Sequence, residues 1–240
     1  MTFDETSARM MRDATKGDEE QAIALLREWA GEGPALELGI GTGRLALRLA
    51  ATGIRVDGID ISTHVVEQMR TKPGGDKLDV TIGDFADVPV EGTYRLIYSG
   101  GNSFFNLLTQ NDEVRCFQNV AAHLKDDGAF VLETLVPDFV WRMEEGQYCQ
   151  AQIVNVDSVV IDMLRHDPVT QTIEENHVWM TEKGIRMNPV VQRYCWPAEM
   201  DLMARMAGLR LRERWLGWGT APWRGRPMSN SERIVSVWTR

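Results

Sequence analysis

Cysteine is scarce in this 240-residue chain: Cys116, Cys149 and Cys195 are odd in number, far apart and in no ligand-like spacing. That argues against a disulfide or zinc framework and fits reduced thiols in a cytoplasmic protein. Positive charge is short as well, with 26 Lys and Arg against 35 Asp and Glu and a formal net charge of -9. A field of that sign repels polyanions, so nucleic acid is not the expected partner. No long apolar run occurs and residues 1–30 carry acids throughout, so neither a signal peptide nor a membrane span is expected. Internal repeats and low-complexity tracts are also lacking. What remains is an ordinary globular composition, long enough for one large domain over 1–240 with a real core.

The stretch that stands out is Ala35 to Arg44, ALELGIGTGR, followed by Leu45–Leu49. It reads as a short buried strand, a turn with glycine at every second position, and a helix. Gly39, Gly41 and Gly43 permit positive φ and a close ligand approach, and the helix start behind them favours an anionic group. The dinucleotide fingerprint wants a third glycine or alanine where this chain has bulky Arg44, which points away from NAD. A single carboxylate asks less of the turn, and the amino-acid end of S-adenosylmethionine carries one.

Along the chain, Asp18 and Gln21 resemble a capping box for a helix bearing Ala22, Leu25, Leu26 and Trp29. Strands are expected at 54–60, 78–82, 94–98 and 129–135, separated by helices at 44–52, 62–69 and about 114–124. This alternation predicts a parallel sheet covered on both faces. Between 147 and 196 the pattern changes to three strand-like runs, 152–164, 170–181 and 185–195, expected as an inserted antiparallel lobe. Pro197 then opens a helix with Met200, Met203, Met206 and Ala207 on one side. Runs 209–215 and 234–238 complete the main sheet.

Ligands of open α/β sheets bind beyond the carboxyl ends of the strands. There the sequence places Glu37, able to face a ligand ammonium, and Asp60, suited to a ribose diol. Asp84 follows as an acceptor for an adenine amino group, with Phe85 and Ile61 as apolar faces, and Ser99 closes the fourth strand. In these residues the chain resembles the class I S-adenosylmethionine-dependent methyltransferases. The shared pattern is Glu37–Gly43, Asp60, Gly83-Asp84-Phe85, and Leu124–Gly128, where Asp126-Asp127-Gly128 replaces the usual Pro-Gly-Gly. It is most similar to small bacterial enzymes that methylate small molecules, aminosugar N-methyltransferases among them. The resemblance implies a doubly wound, mostly parallel seven-stranded sheet with a reversed last strand, and an inserted antiparallel lobe. It also implies S-adenosylmethionine as cofactor and in many members a homo-oligomer; no metal site is expected.

The acceptor is expected to be a small molecule methylated on nitrogen or oxygen; a peptide or protein acceptor, and a non-catalytic cofactor-binding protein, are the alternatives. The segment after the fourth strand, Ser99 to Phe105, lacks both the Asn/Asp-Pro-Pro-aromatic and the Pro-Cys motifs of nucleic-acid enzymes of this class. In-line attack on an activated methyl needs alignment above all, and a base only for an acceptor that must lose a proton. His177, in the inserted strands, is the preferred base, ahead of Tyr194 and His166. The loop after the sixth strand, 216–227, is expected as a substrate-facing lip, with Tyr194, Trp218 and Trp223 as contact surfaces and Arg224 and Arg226 as readers of an anionic group. Residues 205–240 hold eight arginines against Glu213 and Glu232, in contrast to the acidic whole.

Overall fold

The computed structural model describes residues 17–222 and 233–240, so Trp223, Arg224 and Arg226 lie outside the described residues. Helix α1 (Glu19–Ala30) precedes β1 (Ala35–Leu38), α2 (Ala46–Ala50), β2 (Val56–Asp60), α3 (Thr63–Arg70) and β3 (Asp79–Ile82). After these come β4 (Tyr94–Ser99), α4 (Gln110–His123) and β5 (Leu124–Leu135). Asp18 stands at the N-cap of α1 but makes no capping bond. Its carboxylate instead lies 3.5 Å from Arg44, a charged partner that outcompetes a backbone N–H, so the expected capping box does not form.

The main sheet runs β11-β10-β12-β5-β4-β1-β2-β3. Pairs among β1 to β5 are parallel, whereas β12 (Arg233–Thr239) is antiparallel to both β5 and β10 (Arg210–Leu216). This is the expected seven-stranded sheet with one reversed strand, extended by the two-residue edge strand β11 (Ala221–Pro222). Strand order reverses between β1 and β4, and the cleft opens beside that point.

Alternating residues feed two apolar layers. On one face, Leu96, Tyr98, Val131 and Val235 meet Leu26 of α1, Leu49 of α2 and Met69 of α3. On the other, Ile97, Phe130, Leu132 and Trp238 meet Phe117 of α4 and Met203 of α5 (Pro197–Met206). Phe117 stands edge-on to Phe104, Phe130 and Trp238 at 5.2 to 5.6 Å, a geometry favoured by ring quadrupoles. Met206, expected on the buried side of α5, is exposed because the contact stripe passes through Met200, Met203 and Ala204.

The lobe is a separate antiparallel sheet of four strands in the order β6-β7-β8-β9. They span Gln147–Val154, Ser158–Asp167, Thr172–Thr181 and Gly184–Arg193. One expected run, 152–164, is split by a turn in which Asn155 N–H donates to the Ser158 carbonyl at 2.9 Å. Asn, Asp and Ser at that turn are its sequence signature, passed over because valines and isoleucines flank it.

Candidate active site

A cleft of about 270 Å³ lies over the carboxyl ends of β1, β2 and β3. Gly39, Gly41, Asp60, Ile61, Asp84 and Phe85 all line it, so the structure brings together six of the residues singled out in the sequence. Gly41 has φ +55° and a Cβ there would meet nothing within 4 Å, so its open side faces the cleft. Gly39, at φ +72°, lies against Ser103, where a Cβ would come within 3.1 Å. Gly43 serves packing instead: a Cβ would come within 2.8 Å of Met69 and 2.9 Å of Leu47, and the residue is not part of the cleft wall.

Asp60 is held by the backbone. Its Oδ2 accepts from Gly41 N–H at 2.7 Å and its Oδ1 from Ser62 N–H at 2.9 Å. Each carboxylate oxygen can accept a further bond, the capacity a vicinal diol needs, and the residue lines the cleft. Burial raises the Asp60 pKa, partly offset by these backbone bonds. Ile61 is 59% exposed at the rim, a large apolar face awaiting cover. Asp84 Oδ1 accepts from Ala86 N–H at 2.8 Å, while Arg115 approaches its other oxygen at 3.5 Å.

Other expected site residues lie elsewhere. Glu37 is buried, and its Oε2 accepts from Tyr98 Oη at 3.0 Å. Burial drives its pKa up to about 8, against the lowering effects of Tyr98 and Arg44. Its carboxyl is taken up on the helix-covered face of the sheet, by Tyr98 and by the backbone N–H of Ala46 at the start of α2, and it is not part of the cleft wall. Ser99 Oγ donates to the Leu38 carbonyl at 2.9 Å and joins β4 to β1. Tyr194 is buried, with its hydroxyl 2.8 Å from His166 Nε2 and its ring edge-on to Trp196. Trp218 is only 2% exposed and packs in the layer beneath α1. The expected lip begins as a tight hairpin, β11 folding back on β10, which carries that indole inward because burying so large a ring outweighs leaving it in water.

His177 stands on β8 opposite Asn188 of β9, four residues from Gln192. At about 3.4 Å per residue that is about 14 Å from Gln192, and the lobe residue that lines the cleft is its neighbour Val191, about 10 Å along β9 from Asn188. His177 is therefore not brought to the cleft. Beside the cleft stand residues the sequence reading missed, of which Asn106 and, from the lobe, Val191 line its wall. Asn102, at φ +70°, donates from Nδ2 to Gln192 Oε1 at 3.3 Å and accepts from Leu135 N–H at 3.0 Å. Gln192 Nε2 in turn donates to Asn106 Oδ1 at 3.4 Å, and Asn106 lines the cleft. An asparagine tolerant of left-handed φ just past a strand end was the available signal. Gln192 carried none.

Replacing Glu37 gives a pH signature. With a pKa near 8 in the fold and 4.5 unfolded, Glu37 is neutral in the folded protein through most of this range. Its contribution is complete below pH 4.5 and is lost as pH rises toward 8. Glu37→Gln is expected to remove that loss, so its advantage over the parent grows between pH 5 and 8 by about 3–4 kcal/mol, or roughly 6–16 °C in Tm. Thermal unfolding of both proteins across that range checks it; a difference that does not change with pH would contradict the burial argument.

Comparison with known proteins agrees with this geometry. A family model described as a methyltransferase domain matches residues 35–128. The CcbJ methyltransferase of Streptomyces caelestis is 32% identical, with a TM-score of 0.84 over 92% of this chain and 89% of that one. The cypemycin N-terminal methyltransferase of a Streptomyces species is 26% identical over 178 residues, 73% of this chain and 72% of that protein. CalS10, an amino pentose methyltransferase from Micromonospora echinaspora solved with S-adenosylmethionine bound, shares the fold at a TM-score of 0.68 and 20% identity, covering 97% and 95% of the two chains. The chain belongs to the class I S-adenosylmethionine-dependent methyltransferases.

S-adenosylmethionine is its cofactor, and the cleft fits it: an open glycine face, a backbone-braced carboxylate and an apolar rim stand in sequence along the wall. No helix among the described residues is long and apolar enough to cross a membrane. All three cysteines are free thiols, with Cys116 and Cys195 buried and Cys149 exposed.

Proposed function

We propose that the chain methylates an amine nitrogen of a small molecule. The bound cofactor supplies a methyl group already activated by its sulfonium. The observation that carries the reading is the chain of side-chain amides running from Asn102 through Gln192 to Asn106, whose last member lines the cofactor cleft. Amide carbonyls accept N–H bonds and turn an amine lone pair toward the methyl, but they cannot take a proton from an alcohol. An amine that loses its proton to water near neutral pH suits such a wall better than a hydroxyl does. The names of two similar proteins point the same way, one acting on a peptide N-terminus and one on an amino pentose.

The test is transfer of a trideuterated methyl group to a panel of amino sugars, small amines and N-terminal dipeptides, with matched hydroxyl compounds lacking the amine. Label located on nitrogen by mass spectrometry and NMR is expected, most strongly with the small amines or amino sugars. Label only on oxygen would contradict the reading. Strong preference for the dipeptides would move the acceptor class to peptides.

A further inference from the structure

Among the described residues, two groups of three metal-ligating side chains occur away from the cofactor cleft. The first, Glu113, Cys195 and Glu199, already encloses a cation, since Arg193 pairs with both carboxylates. The second lies in the lobe. Asp162 of β7 and His177 of β8 are direct cross-strand partners, and Glu175 stands two residues before His177. Cross-strand partners share a face, as do residues two apart on one strand, so all three side chains rise from the same side of the sheet.

His177 Nδ1 is 2.6 Å from Asp162 Oδ1, and its Nε2 is 3.7 Å from Glu175 Oε1. One ligand atom from each residue lies within 4.8 Å of the others. Ligands about 2.0–2.2 Å from one ion stand at most roughly 4.4 Å apart, so small side-chain rotations suffice to close the set. Two carboxylates share one imidazole, and among the described residues no lysine or arginine forms an ion pair with either. The group thus has ligands of the right kind, a half-buried setting and negative charge left over.

We propose that Asp162, Glu175 and His177 bind a divalent transition-metal cation, of the kind represented by Zn²⁺ or Mn²⁺. Two carboxylates and one imidazole suit these ions, and three protein ligands leave positions for water. None of the three residues lines the cofactor cleft, whose lobe residue Val191 lies about 10 Å along β9 from the partner of His177, so the cation acts on the lobe and not on the transferring methyl. It ties β7 to β8, and its binding stabilises the folded lobe by mass action.

Untagged full-length protein, treated with chelator, would be titrated with Mn²⁺ and with Zn²⁺ by calorimetry. One equivalent per chain is expected to bind with a micromolar Kd, and thermal unfolding to move upward with added ion. His177→Gln and Asp162→Asn should each weaken binding at least tenfold while leaving adenosylhomocysteine affinity unchanged, which shows that the fold is intact. Cys149→Ser, which removes the exposed thiol, should change nothing. If a variant also loses adenosylhomocysteine, Glu175→Gln is read in its place. No saturable binding of either ion, binding that survives these substitutions, or binding that vanishes with Cys149→Ser would overturn the site.

Discussion

Gly41→Val is expected to raise the Kd of adenosylhomocysteine at least about a hundredfold, equivalent to about 2.7 kcal/mol. Two effects combine. Gly41 holds φ +55°, a conformation that a β-branched residue enters only at about 1–2 kcal/mol or more. A Cβ there would also project into the open cleft, where the ligand must lie against the backbone. The contrast with Gly43 makes the test specific. A side chain at Gly43 would collide with Met69 and Leu47, so Gly43→Val should show its damage in thermal unfolding first. Calorimetry and circular dichroism on both variants separate the two outcomes. A folded Gly41→Val protein with parental affinity would remove the glycine turn from the site.

Asp60→Ala comes next in size, with a loss of adenosylhomocysteine affinity of about tenfold to a hundredfold. A carboxylate that accepts from ribose hydroxyls makes charge-assisted bonds worth about 1.5–3 kcal/mol. Removal also strands the N–H groups of Gly41 and Ser62, which position the turn and the start of α3. Asp60→Asn keeps the shape and loses the charge, so it should fall between parent and alanine. The parent should weaken on acidification as well. Burial holds the Asp60 pKa above 3.8, so the proton returns at a higher pH than for an ordinary carboxylate and the charge assistance goes with it. Parental affinity in Asp60→Ala by calorimetry would exclude the carboxylate from ribose binding.

The cofactor half of the site was legible because it depends on local rules. A glycine turn, an acid after the second strand and Asp84-Phe85 after the third sit at strand ends fixed by alternation, and the fold gathers strand ends on one edge. Glu37 and Ser99 misled for a related reason. Both adjoin the right strand ends, but side-chain direction alternates along a strand. Tyr98 and the Leu38 carbonyl took their polar atoms.

The amide chain proposed to face the acceptor rests on contacts remote in sequence. Gln192 meets Asn102 and Asn106 across 86 or more residues, and no periodicity announces such a pairing. Trp218 shows the opposite failure: glycines and tryptophans in a loop suggested a substrate-facing lip, yet Gly217 and Thr220, both at positive φ, turn the chain so that the indole joins the core. His177 was singled out as a base because it lies in the inserted strands, but membership of the lobe does not fix distance, and it is not part of the cleft wall.

The central claim is that one cleft, over the ends of β1, β2 and β3, holds the methyl donor. A crystal structure with adenosylhomocysteine tests it most directly. The account predicts both ribose hydroxyls on Asp60, the adenine between Ile61 and Phe85 with its amino group toward Asp84, and the backbone of Gly41 against the ligand. A ligand bound elsewhere, or an adenosine turned so that Asp60 touches neither hydroxyl, would contradict it.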